Sequence, residues 1–289
     1  MGSSVTSTRT RAVRLAVHKF TSCDGCQLAL LGLGAGLLRL ADEVQLVHFA
    51  ELGVVDEDAE ADVALVEGSI STTAAARRIA AVRARSRYVV AMGACATSGG
   101  VQALRDLGAG SAWAADVYPD PGALDLAPEV TPLAAHVRVD AELWGCPVTP
   151  RQVLGAIRSL AQGVVPAVDR AAVCQACKRR GVVCVLVARG LPCMGPVTRT
   201  GCGAVCPAHG RDCYACTGPA ENAAPEVLAR RLVALGASPE RVAGRFLAGH
   251  SRSDTFRRGA AEARRAGGGP APGARAPGDA EGGTGQGRP

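Results

Sequence analysis

The chain has 289 residues, 48% of them hydrophobic, 3% aromatic and 20% charged, with a formal net charge of +6. That length fits one large domain or two modest ones, with a core carried by Ala, Val and Leu. Lys occurs only at Lys19 and Lys178, and Arg is concentrated at 251–265; with no interleaved aromatics and no nucleic-acid-binding module, the basic balance points away from nucleic acid.

The first twenty residues, MGSSVTSTRTRAVRLAVHKF, hold no apolar h-region and no small-residue cleavage site, so no signal peptide is expected. Runs such as LALLGLGAGLLRLA are too short and too broken by Gly to span a membrane. A cytoplasmic chain is expected. In that compartment twelve cysteines point to metal and away from disulfides.

In chain order, residues 1–11 are expected to be disordered, and 12–18 (AVRLAVH) form a buried strand. Cys23-x-x-Cys26 opens a helix over 27–40, whose glycines predict close packing on a sheet or another subunit. Strands follow at 44–49 and 62–66, the latter ending in Glu67-Gly68-Ser69. An amphipathic helix is predicted over 71–85 and a fourth strand over 87–92, leading into GACATSGG. That run lacks the Lys-Ser/Thr of a phosphate loop and the spacing of a dinucleotide fingerprint; its glycines are expected to let backbone approach Cys95 closely. Residues 108–135 read as a long loop, 136–139 as a short fifth strand and 151–161 as a helix.

Strands alternating with helices predict an α/β fold with a flavodoxin-like parallel sheet. Ligands of such sheets bind beyond the carboxyl ends of the strands. Cys23 and Cys26 follow the first strand, Cys95 the fourth and Cys146 the fifth, so four thiols dispersed in sequence converge on one sheet edge. Four ordinary buried cysteines would read the same way only by coincidence.

The remaining eight cysteines, Cys174, Cys177, Cys184, Cys193, Cys202, Cys206, Cys213 and Cys216, crowd into 174–216. Between them lie Gly, Pro and short polar turns, with little to build a core, so cross-links must hold this irregular segment. The choices are disulfides, zinc or iron–sulfur clusters. Clusters are favoured because the twelve thiols form three sets of four. Cys146 and Cys206 are each followed by Pro, as in a ferredoxin ligand run, and no His stands at zinc-finger spacing. His209 is read as a loop residue. Helices are predicted over 226–235 and 239–250, then an exposed, Arg-rich helix over 253–265, and from 267 a disordered Gly- and Pro-rich tail.

Cys23-x-x-Cys26, Gly93-x-Cys95-x-x-x-Gly99-Gly100 and Gly145-Cys146-Pro147-x-x-Pro150 together resemble the small subunit of nickel–iron hydrogenases. The same fold occurs in the 20 kDa subunit of complex I, which has two adjacent cysteines in place of Cys-x-x-Cys and lacks the later clusters. The segment 192–219 (PCMGPVTRTGCGAVCPAHGRDCYACTGP) looks like the delta subunit of the cytoplasmic, NAD(P)-linked sulfhydrogenase group. The resemblance covers roughly 12–219.

It implies three 4Fe–4S clusters: a proximal one on Cys23, Cys26, Cys95 and Cys146, a medial one on Cys202, Cys206, Cys213 and Cys216, and a distal one on Cys174, Cys177, Cys184 and Cys193. In membrane-type relatives a proline stands in place of Cys206 and a His in place of Cys174. Glu67 resembles a Glu–Gly motif near the proximal cluster; its own chemistry equally fits a strand-end carboxylate capping a helix. No cysteine pairs remain for nickel, so no complete catalytic site is expected on this chain. The partners implied are a nickel–iron large subunit, a flavin-containing NAD(P)-linked diaphorase subunit and an iron–sulfur subunit. Two alternatives stay open: the small subunit of a methyl-viologen- or deazaflavin-linked hydrogenase, and a zinc-stabilised interaction module. The expected organisation is a disordered 1–11, a flavodoxin-like domain at 12–165, an iron–sulfur domain at 166–250, and a basic helix with tail at 251–289.

Overall fold

The computed structural model describes residues 12–108 and 112–268; segment 1–11 and the tail beyond 268 lie outside them. The first half runs β1 (Val13–Lys19), α1 (Gly25–Leu31), α2 (Ala35–Ala41), β2 (Val44–Phe49), β3 (Ala61–Glu67), α3 (Thr73–Arg85), β4 (Ser86–Met92), α4 (Gly93–Ser98), α5 (Ala112–Val117), β5 (Ala141–Leu143) and α6 (Pro150–Ala161). The strands form one sheet in the order β2-β1-β3-β4-β5, every pairing parallel. That is the flavodoxin-like order.

Strand periodicity divides the apolar residues between two faces. Leu15, Val17, Val63, Leu65, Val90 and Met92 pack with Leu30, Leu40, Val153 and Ile157 of α1, α2 and α6. Their neighbours Ala16, Ala64, Val66, Val89 and Ala91 pack with Ile79 and Val82 of α3. The central strands are covered on both sides, hence their near-continuous apolar runs. Helix α3 starts where Thr72 Oγ1 accepts from Ala75 N at 3.0 Å and the Asp125 carboxylate accepts from Thr73 N and Ala74 N. Helix α6 starts with a reciprocal capping box between Thr149 and Gln152, with Pro150 in the first turn.

Several elements depart from the sequence expectation. The helix expected over 27–40 is two helices, broken at Gly32–Leu33–Gly34, with Gly34 in the left-handed region. The fifth strand is Ala141–Leu143, not 136–139. His136 closes a turn on Leu133 O and pairs with Thr131 Oγ1 at 2.7 Å. Asp140 then bonds Val89 N at 2.8 Å, so ladder pairing with β4 begins only at Ala141. GACATSGG is not all turn: Gly93–Ser98 is helical and carries Cys95. The segment 108–135 holds a helix, α5, among its described residues.

The second half runs α7 (Val173–Arg179), α8 (Val185–Arg189), α9 (Val205–Ala208), α10 (Pro225–Ala234), α11 (Pro239–Leu247) and α12 (Asp254–Gly267). The cysteine stretch does have a core, contrary to the expectation from its composition. Val173, Val185, Met194, Val197 and Ala204 are buried against Leu228, Leu232, Val242, Phe246 and Phe256 of α10–α12. Helix α12 is therefore not a free basic helix. Phe256, Gly259, Ala260 and Ala263 form a buried stripe at i, i+3, i+4 and i+7, and a Cβ at Gly259 would sit 2.5 Å from the Phe246 ring.

Candidate metal centres

All twelve cysteines lie among the described residues and none is in a disulfide. Cys23 and Cys26 stand in the turn from β1 into α1, Cys95 in α4 directly after β4, and Cys146 just beyond β5. The loops bearing them meet: Ala94 N donates to Gly145 O at 2.7 Å, and a Cβ at Gly25 would lie 3.4 Å from both Cys23 Sγ and Pro147 Cβ. Two glycines make the approach possible. Gly93 (φ +90) and Gly100 (φ +64) adopt the left-handed region, and added Cβ atoms would collide with Cys26 Sγ and Cys95 Sγ respectively. The four thiols expected at one sheet edge are thus together.

Their electrostatics are mutual. Burial first, then the charges of Cys146, Cys23 and Glu67, pushes the Cys95 thiol up to about 12. Burial, with Glu67, Cys95 and Cys146 adding to it, drives Cys26 well above the ordinary thiol range. Cys146 is raised by burial and then by Cys23 and Glu67. The Cys95 thiol donates to Gln102 Oε1 at 3.2 Å; turned about, the same amide offers an N–H to a thiolate.

Glu67 ends β3, is 1% exposed, and accepts the backbone N–H of Cys26 at Oε1 and of Gln27 at Oε2, both at 3.1 Å. It caps α1, whose own N-cap residue, Asp24, makes no side-chain cap bond. Burial raises its pKa against the pull of those two amides.

The late cysteines crowd together in the second half, on short helices and the loops between them. Cys174 and Cys177 are on α7 and Cys184 caps α8. The Cys174 thiol is pushed up to about 11 by burial, then by Cys193, Cys177 and Cys184. A Cβ at Gly195 would lie 3.3 Å from Cys193 Sγ and 3.6 Å from Cys174 Sγ. Burial, then Cys202, Cys146 and Cys206, pushes Cys216 up to about 11; burial, with Cys193 and Cys216 adding, pushes Cys213 up to about 12. Cys213 N donates to Cys193 Sγ at 3.3 Å, and the charge of Cys202 helps to raise the Cys177 thiol, so the expected medial and distal sets touch one another. Among the described residues no three thiol sulfurs lie within 4.8 Å of one another.

Residues that no cysteine motif pointed to join the two halves. His250 is buried; its Nδ1 lies 2.7 Å from Ser98 Oγ of α4 and its Nε2 3.2 Å from Cys216 O. Burial depresses its pKa to about 4, so the ring is neutral. Trp144, two residues before Cys146, packs against His250 at 5.5 Å and under the Arg199 guanidinium at 5.0 Å. Gly218 gives the indole its space, since a Cβ there would collide with it. His250 comes 34 residues after Cys216, in a turn beyond α11, and nothing in the local sequence marks it.

A second constellation went unread in the sequence. His18, His48 and Glu57 bring ligand-type atoms within 4.8 Å of one another. Arg78 already engages both Glu57 oxygens, and His48 Nδ1 accepts from Asp56 N. The guanidinium and the amide bond oppose a cation there.

Among the described residues no helix is long and apolar enough to cross a membrane. Residues 23–160 match the family model of the NADH ubiquinone oxidoreductase 20 kDa subunit. The chain is 34% identical over 207 residues to the sulfhydrogenase 2 subunit delta of Pyrococcus furiosus, covering 72% of this chain and 86% of that one. It is 29% identical to one chain of the vhu F420-non-reducing hydrogenase of Methanococcus voltae, over 73% of this chain and 83% of that one. It is 24% identical to the NAD-reducing hydrogenase HoxS subunit delta of Cupriavidus necator, over 56% and 85%. Among solved structures, a [NiFeSe]-hydrogenase chain of Dm. baculatum shares the fold, with a TM-score of 0.50 at 16% identity over 73% of this chain and 95% of that one. With a 20 kDa-type sheet bearing Cys23, Cys26, Cys95 and Cys146 at one edge, and a relative this close along most of its length, the chain belongs to the family of hydrogenase small subunits.

Proposed function

We propose that this chain is the electron-transfer small subunit of a cytoplasmic nickel–iron hydrogenase. It would hold three 4Fe–4S clusters between a large subunit and an NAD(P)-linked flavin subunit with its iron–sulfur companion. The observation that carries this reading is the gathering of Cys23, Cys26, Cys95 and Cys146 at one sheet edge in a chain whose twelve cysteines are all free of disulfides, and the likeness to the sulfhydrogenase 2 subunit delta supports it.

The residues fit that cofactor. Four thiols per proposed set are the ligand complement that a 4Fe–4S cluster takes. Each set also resists its own ionisation by burial and mutual repulsion, which a cationic iron core offsets. Cys23, Cys26, Cys95 and Cys146 are the proximal ligands; Cys202, Cys206, Cys213 and Cys216 the medial; Cys174, Cys177, Cys184 and Cys193 the distal. Such clusters, when bound, supply reversible one-electron transfer.

The chain's own residues fix the ligands and their surroundings. Glu67 orients the first turn of α1 and with it Cys26. The amide of Cys213 donates to the Cys193 sulfur and removes charge from it, as outer-shell bonds do at metal sites. Gly93 and Gly100 keep backbone close to sulfur. The exposed leucines of α1 and α2, Leu28 at 61% and Leu38 at 73%, supply an apolar surface for the large subunit beside the proximal set. Expressed alone, the subunit should aggregate or lose iron; a stable, fully loaded monomer counts against this interface.

A small subunit that serves a viologen-type acceptor is the second reading, favoured by the likeness to the F420-non-reducing relative. Anaerobic co-purification of the chain with its partners, followed by hydrogen-dependent reduction of NAD and of NADP, separates the two. A complex that reduces a viologen dye but neither nicotinamide supports the second reading. A preparation with no large subunit and no hydrogen oxidation overturns both.

A further inference from the structure

We propose that His250 is a positioning residue that holds the medial cysteine set at a fixed separation from the proximal set. This rests on the reading of the chain as an electron-transfer subunit. The two sets belong to different halves of the molecule. Cys95 and Cys146 hang from the sheet, whereas Cys216 follows a loop whose core is α10–α12. Electron transfer between centres is steeply sensitive to their separation, so a joint between the halves has functional weight that an ordinary interface lacks.

His250 is that joint. A carbonyl can only accept, so His250 Nε2 carries the proton and donates to Cys216 O at 3.2 Å. In the neutral ring Nδ1 is then an acceptor, and Ser98 Oγ donates to it at 2.7 Å. One neutral tautomer satisfies both ends, linking a medial ligand residue to the helix that carries Cys95. The joint is braced on each side. Trp144 packs on the imidazole, and Phe256 of α12 meets it edge-on at 5.8 Å. Two residues on, Arg252 donates to Asp106 Oδ2 at 2.6 Å, pairs with Glu129 at 3.2 Å, and its backbone N–H reaches Ser98 O at 3.4 Å. The turn after α11 is thus bolted to the sheet domain beside Cys95.

The test compares wild type, His250→Ala, His250→Gln and Ser98→Ala in the anaerobically purified complex. Gln carries one donor and one acceptor and can span the same two partners. The readouts are iron content, the magnetic interaction between reduced proximal and medial clusters in electron paramagnetic resonance, hydrogen–deuterium exchange at the large subunit, and hydrogen-dependent dye reduction. His250→Ala should keep its iron and its exchange activity, change or lose the magnetic splitting, and reduce dye about tenfold more slowly, within the range that ångström-scale misplacement costs. His250→Gln should recover most of both losses. Should His250→Ala lose the medial iron instead, Ser98→Ala is the milder cut, and a changed splitting with iron intact is expected there. A wild-type splitting and dye rate in His250→Ala, or in Ser98→Ala where the former loses iron, overturns the inference alone. A wild-type complex without iron signals overturns the functional reading and this inference with it.

Discussion

Glu67 and Cys26 stand 41 residues apart and meet at 3.1 Å, the carboxylate of one accepting the backbone N–H of the other. A residue at the end of β3 thus fixes the first turn of the helix that follows β1, and with it a thiol of the proximal set. Glu67→Ala strands two buried amides, those of Cys26 and Gln27, and should cost about 2–4 kcal/mol of stability. Glu67→Gln keeps an acceptor for one of them and should cost about half as much. Urea titration of the two variants beside wild type checks the order; equal stability of all three would show that water caps α1 as well as the carboxylate does.

Gly93 and Gly100 test the proximal cradle without touching a ligand. Gly93→Ala places a methyl on Cys26 Sγ, and Gly100→Ala places one 2.5 Å from Cys95 Sγ, both at left-handed φ. Each should lower iron content by about four per chain, one cluster's worth, and leave the late cysteine sets loaded. Full iron in both variants would mean the loops open freely and the cradle is not a constraint.

Cys206 sits in the first turn of the four-residue helix α9, where an amide lacks an intrahelical partner and proline is tolerated. Cys206→Pro should therefore keep the fold and open one iron position. Iron should fall by about one per chain, an oxidised three-iron resonance should appear, and the medial potential should rise with the loss of a thiolate charge. An unchanged iron count and spectrum would make Cys206 a structural thiol and break the proposed division of the late cysteines.

His18 lies buried on β1 with Nδ1 unpartnered, stacked on His48 at 4.5 Å. Burial, then the neighbouring His48 and Arg78, lowers its pKa from the usual 6.5 to about 3. Between those values the unfolded chain binds a proton that the folded chain does not. Its contribution is complete above pH 6.5 and is lost as pH falls towards 3, at up to about 1.4 kcal/mol per pH unit. His18→Phe, which keeps the stacking, should flatten the acid limb of the stability–pH curve. An identical limb in wild type and variant would place the titration elsewhere.

Much of the sheet and its site was legible because period-2 alternation and strand-end cysteines are local features. Val63-Ala64-Leu65-Val66 announces a strand buried on both faces, and Cys95 and Cys146 announce the sheet edge at which the thiols gather. The failures lie where tertiary partners override local pattern. Residues 136–139 look like a strand until Asp140 is seen holding Val89 N and Arg83. The cysteine stretch looks coreless because its packing partners, Leu228, Phe246 and Phe256, come from helices later in the chain. His250 was illegible: its partners Ser98 and Cys216 stand 152 and 34 residues away, and no motif connects them. Glu67 was read as a cap or as a cluster neighbour. It caps α1 through the backbone amides of Cys26 and Gln27.

The most direct measurement is iron and zinc content, together with the visible spectrum, of the anaerobically purified chain in complex with its large subunit. Three four-iron clusters predict about twelve iron atoms per chain, little zinc, and a broad absorption at about 400 nm that dithionite bleaches. A colourless, zinc-loaded protein whose spectrum dithionite leaves unchanged would contradict the electron-transfer role outright.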